Sequence, residues 1–354
     1  MLRTCRADNS SKRYILLDLD HNEEPWTLSS IEAIGRAVQA AFSQGTSSAS
    51  HDSEYAVRNG TFLVPRVGYD STTSEVVKLS QRSSGAELQP FLQTERSLRL
   101  FIQTPGLLDS LVFKDDPEAQ EPLPESYVEI EPRAFGLNFR GIMVGMGQME
   151  EPQMGLECAG VVKRAQGSAA IHFKAGDRVC ALTGHGHWAS STRVPWTSAA
   201  RIPDQMGFDI AASIPMVFVT AYYCLFECAH LEPGEKVLIH AASGGVGQAA
   251  IVLAQWKQAT IFASVSTPEK KQFLMDTYQI PEDHIFSSRD PSFARHVKAA
   301  TMDGRGVDGV LNSLAGELLD ETWHCLAPYG RFLEIGKKDI QSNKHLEMRL
   351  FNTQ

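Results

Sequence analysis

The spacing of hydrophobic and polar positions changes character along the chain. YILLDLD reads as a strand, and from Leu28 to Phe42 the apolar residues Ile31, Ile34, Val38, Ala41 and Phe42 recur at helical spacing. One strand and one helix cannot bury their own faces, so this small α/β piece either packs on downstream residues or is the remnant of a larger unit. Residues 43–53 (SQGTSSASHDS) and 70–86 are rich in Ser, Thr and Gly and read as linker or exposed loop. From Ser97 onward short β-rich runs broken by Pro and Gly (SLRLFIQ, YVEIEPRAFGL, LECAGVVKR, GDRVCAL, STRVPW) predict a small barrel or sandwich. After Ile210 strands and helices alternate: VLIH, helix 246–256, IFASV, helix 268–278, HIF, helix 291–300, GVLN, helix 317–326 and RFLEI. That alternation predicts a doubly wound parallel sheet with helices on both faces.

Composition narrows the class of partner. A chain of 354 residues has room for two or three domains. Its net charge of -9 argues against nucleic acid or an anionic membrane as the main partner. No apolar run approaches the roughly 20 residues of a membrane span, and the N-terminus lacks a secretory h-region, so a cytoplasmic location is expected. The six scattered cysteines suggest buried thiols rather than a disulfide framework. Cys224 and Cys228 share a helix face without a second cluster, and His185 and His187 lie two apart in a Gly-flanked loop without a third ligand; neither pair predicts a metal site.

Candidate chemistry concentrates where VLIH runs into Ala241-Ala242-Ser243-Gly244-Gly245-Val246-Gly247 and an Ala-rich helix. In the GxGxxG register the positions are Ala242, Gly244 and Gly247; the second admits the backbone to a diphosphate and the third lets helix and strand pack closely. Roughly 20 residues on, where an NAD-binding protein places an acid, stand Ser266, Thr267, Pro268, Glu269, Lys270 and Lys271. Hydroxyls and ammonium groups suit a 2′-phosphate, so NADPH is the expected cofactor. Thr267 followed by Pro268 is equally the start of a helix, and the two readings are compatible.

GLNFRGIMVGMGQ (136–148), GLECAGVV (155–162), FKAGDRVCAL (173–182), IPMVFVTAYYCL (214–225) and AASGGVGQAA occur in the order found in medium-chain dehydrogenase/reductases. With HIFSSRD, GVDGVLNSLAGELLD and GRFLEIGKKDI, the chain resembles the enoyl reductase domains of fungal highly reducing polyketide synthases and of animal fatty acid synthase. TPGLLDSLVF and NGTFLVPRV extend the match upstream, and YILLDLD looks like the end of the ketoreductase-like structural domain that precedes such reductases. The resemblance implies a remnant and linker over 1–95, a GroES-like β-barrel catalytic domain over 96–209 and a Rossmann domain over 210–354. The chain ends at LEMRLFNTQ, where the family continues through a sixth strand and back to the barrel, so a C-terminally incomplete Rossmann domain is expected.

The resemblance also implies site roles. Zinc enzymes of the superfamily carry Cys at the position of Asn138 and His at that of Leu156, so no metal is expected. Asn138 and Thr220 are placed beside the nicotinamide and its ribose, Asn312 at the next strand end, and Ile335, Gly336 and Lys337 on the nicotinamide side. Asn312 and Thr220 can also be read as helix-capping residues. The Asp that usually follows NFR is Gly141 here, which leaves Lys270, Asp290, Lys337 or solvent to supply a proton. The implied activity is NADPH-dependent reduction of an enoyl thioester tethered to an acyl carrier protein, alongside other polyketide synthase domains. A quinone or enone oxidoreductase, and a catalytically inactive fragment, are the alternatives.

Overall fold

A computed structural model describes residues 16–19, 28–42, 54–58, 61–64, 88–151, 153–183, 188–301, 304–348 and 351. Cys5, His185, His187 and the stretches 43–53 and 70–86 lie outside the described residues. The chain divides into two compact units, Met1–Glu87 and Leu88–Gln354.

In the first unit β1 (Leu16–Asp18) pairs in parallel with β2 (Glu54–Arg58), which pairs antiparallel with β3 (Thr61–Leu63). Helix α1 spans Leu28–Phe42, as its periodicity predicts. Its buried face differs from the expectation: Ser30, Ala33 and Ala37 are covered, whereas Ile31, Ile34 and Val38 are exposed. Periodicity identifies an apolar stripe, but which stripe is covered depends on the neighbouring elements.

The second unit begins with a hairpin, β4 (Leu98–Ile102) and β5 (Leu111–Asp115). A curled antiparallel sheet comes next, built from β6 (Tyr127–Phe135), β7 (Glu157–Ala165), β8 (Arg178–Leu182), β9 (Thr192–Pro195) and β10 (Ala199–Arg201). Its spatial order is β10-β8-β7-β6-β9. Alternate residues face one core, Val128 with Ile130 on β6 and Val179 with Ala181 on β8, the period of two that a half-buried strand requires. Three short helices decorate the sheet: α2 (Phe139–Gly145), α3 (Ala169–His172) and α4 (Phe208–Ala212). On α2, Gly141 lies so close to the neighbouring backbone that an added Cβ would stand 2.3 Å from the Met154 carbonyl oxygen. The packing here admits no side chain.

The remaining strands are all parallel: β11 (Lys236–Ile239), β12 (Thr260–Val265), β13 (Ile285–Ser287), β14 (Val307–Asn312) and β15 (Leu326–Glu334). Their order, β13-β12-β11-β14-β15, is that of a dinucleotide-binding sheet. The helices are α5 (Pro215–Tyr222), running on into a π-helical turn Tyr223–Cys228, then α6 (Gly245–Trp256), α7 (Pro268–Tyr278), α8 (Phe293–Ala300), α9 (Glu317–Trp323) and α10 (Lys338–Gln341). Two cores cover the two faces. Val237 and Ile239 of β11 enter one with Ile251 and Leu274, while Leu238 between them enters the other with Phe293 and Trp323.

The last helix–strand unit departs from the expected boundaries. Helix α9 stops at Trp323 rather than 326, and β15 starts at Leu326, ahead of RFLEI. Cys325 N–H closes the turn on the Thr322 carbonyl, and Leu326 pairs with Val307 across a register shift. Beyond β15, Leu346 packs back on the second core and Phe351 approaches Trp323 at 5.0 Å between ring centroids. Cys158 and Cys325 are buried thiols, pushed up to about 12 chiefly by burial, but Cys228 is exposed, which corrects the uniform expectation. Among the described residues no helix is long and apolar enough to cross a membrane.

His240, directly after β11, ties three elements together. Its Nδ1 lies 2.6 Å from Ser264 Oγ on β12, and its Nε2 lies 3.0 Å from Thr322 Oγ1 on α9. Thr322 Oγ1 donates its proton to the Leu318 carbonyl at 2.6 Å, so it accepts from Nε2–H, and Nδ1 accepts from Ser264. The ring is thus neutral with both nitrogens satisfied, and burial pushes its pKa down to about 3.

Gly141→Ala should lower the stability measured by chemical denaturation by about 1–3 kcal/mol, because the new Cβ meets backbone rather than a flexible side-chain tip, and Gly141→Asp should cost more. For His240 the folded pKa lies below the unfolded value of about 6.5. Its contribution to stability is complete above pH 6.5 and is lost as pH falls toward 3, at up to about 1.4 kcal/mol per pH unit. Denaturation at pH 7, 6 and 5 should show a shallower decline in His240→Gln than in the parent chain; equal slopes would refute the assignment.

Candidate active site

A cavity of about 1150 Å³ opens between the curled sheet and the carboxyl ends of the parallel strands. Ligands of open α/β sheets bind at that end, where helix N-termini converge. Of the expected site residues, Asn138, Thr220, Gly244, Gly245, Val246, Gly247, Ile335, Gly336 and Lys337 line it. Ser243, Ser266, Thr267, Lys270, Lys271, Asp290 and Asn312 are not part of its wall.

The turn after β11 has the shape its glycines imply. Ala241 takes a left-handed φ of +48°, and Gly244 N–H returns to the Ala241 carbonyl at 2.8 Å. A Cβ on Gly247 would stand 2.6 Å from both Ala241 O and Ala242 Cα, so only glycine permits this approach of α6 to the turn. No side chain caps α6 at Gly244, which leaves the N–H groups of its first turn for an anion. Ser243 sits in the turn with its carbonyl accepting from Gln248 Nε2 at 2.9 Å. These features fit a dinucleotide diphosphate.

At the end of β12 Thr267 takes the helix-start role expected of it. It caps α7, accepting from Lys270 N–H at 3.4 Å, with Pro268 in the first turn. Lys270 Nζ lies 3.3 Å from Ser266 Oγ, which places an ammonium and a hydroxyl side by side. Lys271 instead pairs with Glu282 at 3.2 Å. Two adjacent lysines therefore have different surroundings, a distinction their sequence positions do not contain.

On the curled-sheet wall Asn138 Nδ2 donates to Glu157 Oε1 at 2.6 Å, while Glu157 Oε2 accepts from Met216 N–H at 2.7 Å. Glu157 is only 2% exposed; burial raises its pKa, against the opposing effect of both hydrogen bonds. The amide of Asn138 is thereby oriented, with its Oδ1 and second N–H uncommitted among the described residues. Thr220 lies within α5 and donates to the Met216 carbonyl at 2.7 Å, so it is not a helix cap.

The opposite wall corrects two expectations. Asn312 is fully buried and spends its side chain internally: Nδ2 donates to Glu334 Oε2 at 2.6 Å and to the Leu314 carbonyl at 2.9 Å, and Oδ1 accepts from Leu314 N–H at 3.2 Å. Its neighbour Ser313 belongs to the cavity lining, with its Oγ buried. Asp290 is exposed and caps the approach to α8, accepting from Ser292 Oγ at 2.7 Å and Ser292 N–H at 2.9 Å, which hold its carboxyl below its usual range. Lys337 lines the cavity and has no ion-pair partner among the described residues. Glu334, also in the wall, has its pKa raised by burial, with Asp339 adding to the effect, while Asn312 and Gly336 N–H oppose it.

Glu157, Glu334, His240 and Ser313 were not singled out from the sequence. Ser313 follows the last residue of β14, where strand alternation no longer applies. For the two glutamates no periodicity marks a buried carboxylate. Met143, Met149, Met216 and Leu156 make much of the remaining wall apolar and adaptable. Among the described residues no group of three or more His, Cys, Asp or Glu side chains is placed to hold a metal ion.

Comparison with known proteins agrees with this architecture. A family model described as zinc-binding dehydrogenase matches residues 245–353. The chain is 51% identical over 99% of its length to squalestatin tetraketide synthase of Phoma sp. (strain C2932), of which it spans 13%. Among solved structures it resembles the CurK enoyl reductase, at 36% identity and a TM-score of 0.62, over 71% of this chain and 79% of that one. It also resembles a mycobacterial protein in complex with NADPH, at 28% identity and a TM-score of 0.59, over 68% of this chain and 74% of that one. The chain belongs to the enoyl reductases of polyketide synthases, a zinc-independent branch of the nicotinamide-dependent medium-chain dehydrogenase/reductases.

Proposed function

We propose that this chain reduces an α,β-unsaturated acyl thioester with NADPH while the acyl group is tethered to an acyl carrier protein during polyketide assembly. The observation that carries the reading is the composition of the cleft, an uncapped helix start and an oriented amide facing an apolar wall, with a lysine–hydroxyl pair outside that wall at the end of β12.

Bound NADPH supplies the hydride for the β-carbon. The first-turn N–H groups of α6 bind the diphosphate, and Ser266 with Lys270 holds the 2′-phosphate. The free N–H of Asn138 is positioned to donate to the thioester oxygen, where negative charge develops as the enolate forms. Leu156, Met143 and Met149 exclude water from the acyl chain. Lys337, unpaired and in the wall, holds the proton required at the α-carbon, whereas Asp290 is committed to Ser292.

Lys270→Ala should weaken NADPH binding about 10-fold or more while leaving NADH binding unchanged, as titration by fluorescence would show. An equal loss for both cofactors would remove Lys270 from 2′-phosphate recognition. The activity itself is tested by following NADPH oxidation with a crotonyl thioester. Thioester-dependent oxidation is expected. Turnover of a free quinone but not of the thioester would favour the oxidoreductase alternative, and NADPH binding without turnover of either would make this a non-catalytic domain.

A further inference from the structure

We infer that Tyr278, at the far end of α7, is a positioning residue for the cofactor's diphosphate, acting through Gln248 on the carbonyl of Ser243. The inference rests on the proposal that the glycine-rich turn after β11 takes the diphosphate of NADPH, and it adds the side chains that hold that turn in shape.

A turn that receives an anion must aim its N–H groups at the ligand and keep its carbonyl oxygens, which carry partial negative charge, away from it. Three carbonyls of this turn are held by hydrogen bonds. Ala241 O accepts from Gly244 N–H at 2.8 Å, and Gly244 O accepts from Gln248 N–H at 2.8 Å. Both bonds follow from the backbone path into α6. The carbonyl of Ser243 differs, because a side chain holds it: Gln248 Nε2 donates to it at 2.9 Å.

The amide of Gln248 has one orientation that satisfies both of its neighbours. Ser243 O only accepts, so the NH2 end of Gln248 faces it and Oε1 faces Tyr278. The Tyr278 hydroxyl, 2.8 Å from Oε1, therefore donates its proton. Burial raises the pKa of Tyr278, so this donor stays protonated at neutral pH. The tyrosine is itself fixed. Its ring packs on the core that contains Ile251 and Leu274 and stands edge-on to Phe273 at 5.9 Å between centroids, and its carbonyl accepts from Gln255 Nε2 at 2.6 Å. Gln248 and Gln255 both lie on α6, so the last residue of α7 is tied to that helix at two points. Removing the Tyr278 hydroxyl takes away the bond that fixes the Gln248 amide, and with it the hold on the Ser243 carbonyl.

The opposite end of α7 lies beside Ser266 and Lys270, the proposed 2′-phosphate contacts. The two ends of this 11-residue helix are about 16 Å apart, so the diphosphate and the 2′-phosphate can be tested separately.

The test uses the full chain as the parent protein, Tyr278→Phe, Gln248→Ala and the double variant. Each is titrated with NADPH and with adenosine 2′-monophosphate, which carries the 2′-phosphate without a diphosphate. Tyr278→Phe is expected to bind NADPH roughly three- to tenfold more weakly and to bind adenosine 2′-monophosphate as the parent does. In the Gln248→Ala background the same substitution should have no further effect on NADPH, because the route to Ser243 is already cut. Unchanged NADPH affinity in Tyr278→Phe would overturn the inference. Equal weakening for both ligands would also overturn it, by showing that the hydroxyl supports the fold rather than the turn, and so would additive losses in the double variant. If the parent chain bound neither ligand, the NADPH reading would fall and this inference with it, an outcome separate from any behaviour of the variants.

Discussion

The cleft depends on one buried carboxylate. Glu157 leaves strand β7 of the curled sheet and accepts two hydrogen bonds, one from the amide of Asn138 at the entry to α2 and one from the N–H of Met216 in the first turn of α5. Helix α5 packs on the parallel-sheet core through Val217, Phe218 and Ala221, so this single side chain joins the two halves of the cavity. Hydrogen bonds to a charged group contribute about 1.5–3 kcal/mol each, and leaving such a group buried without them costs more. That asymmetry holds the halves in register.

A second glutamate repeats the device on the far wall. Glu334 takes an amide hydrogen from Asn312 and an N–H from Gly336, tying the carboxyl ends of β14 and β15 together. In each case an asparagine donates to a glutamate whose pKa burial raises, and the backbone beside the cavity is thereby set. The two pairs differ in what they leave free. Asn138 lines the cleft, whereas the Asn312 amide is spent on Glu334 and Leu314.

Neutral and charged polar groups have separate tasks in this scaffold. His240 is held neutral between Ser264 and Thr322 next to the glycine-rich turn. Of the cations, Lys270 stands beside Ser266 outside the cavity wall, whereas Arg140, Lys337 and Lys338 line it. Met143, Met149, Met216 and Leu156 give the wall an adaptable apolar part.

The sequence by itself determined the order of strands and helices, because alternation of period two and spacing of 3.6 are local consequences of backbone geometry. It also determined the glycine-rich turn after β11 and the cap at Thr267, where glycine and hydroxyl requirements are set by neighbours close in the chain. Tertiary structure decided what depends on distant partners. It placed Asn312 inside and Ser313 in the cleft, separated Lys270 from Lys271 by way of Glu282, moved Asp290 out of the site, and covered the alanines of α1 rather than its isoleucines. Each of those outcomes depends on which surface a side chain meets after the chain has folded, and a linear pattern gives the spacing of a face without naming its partner.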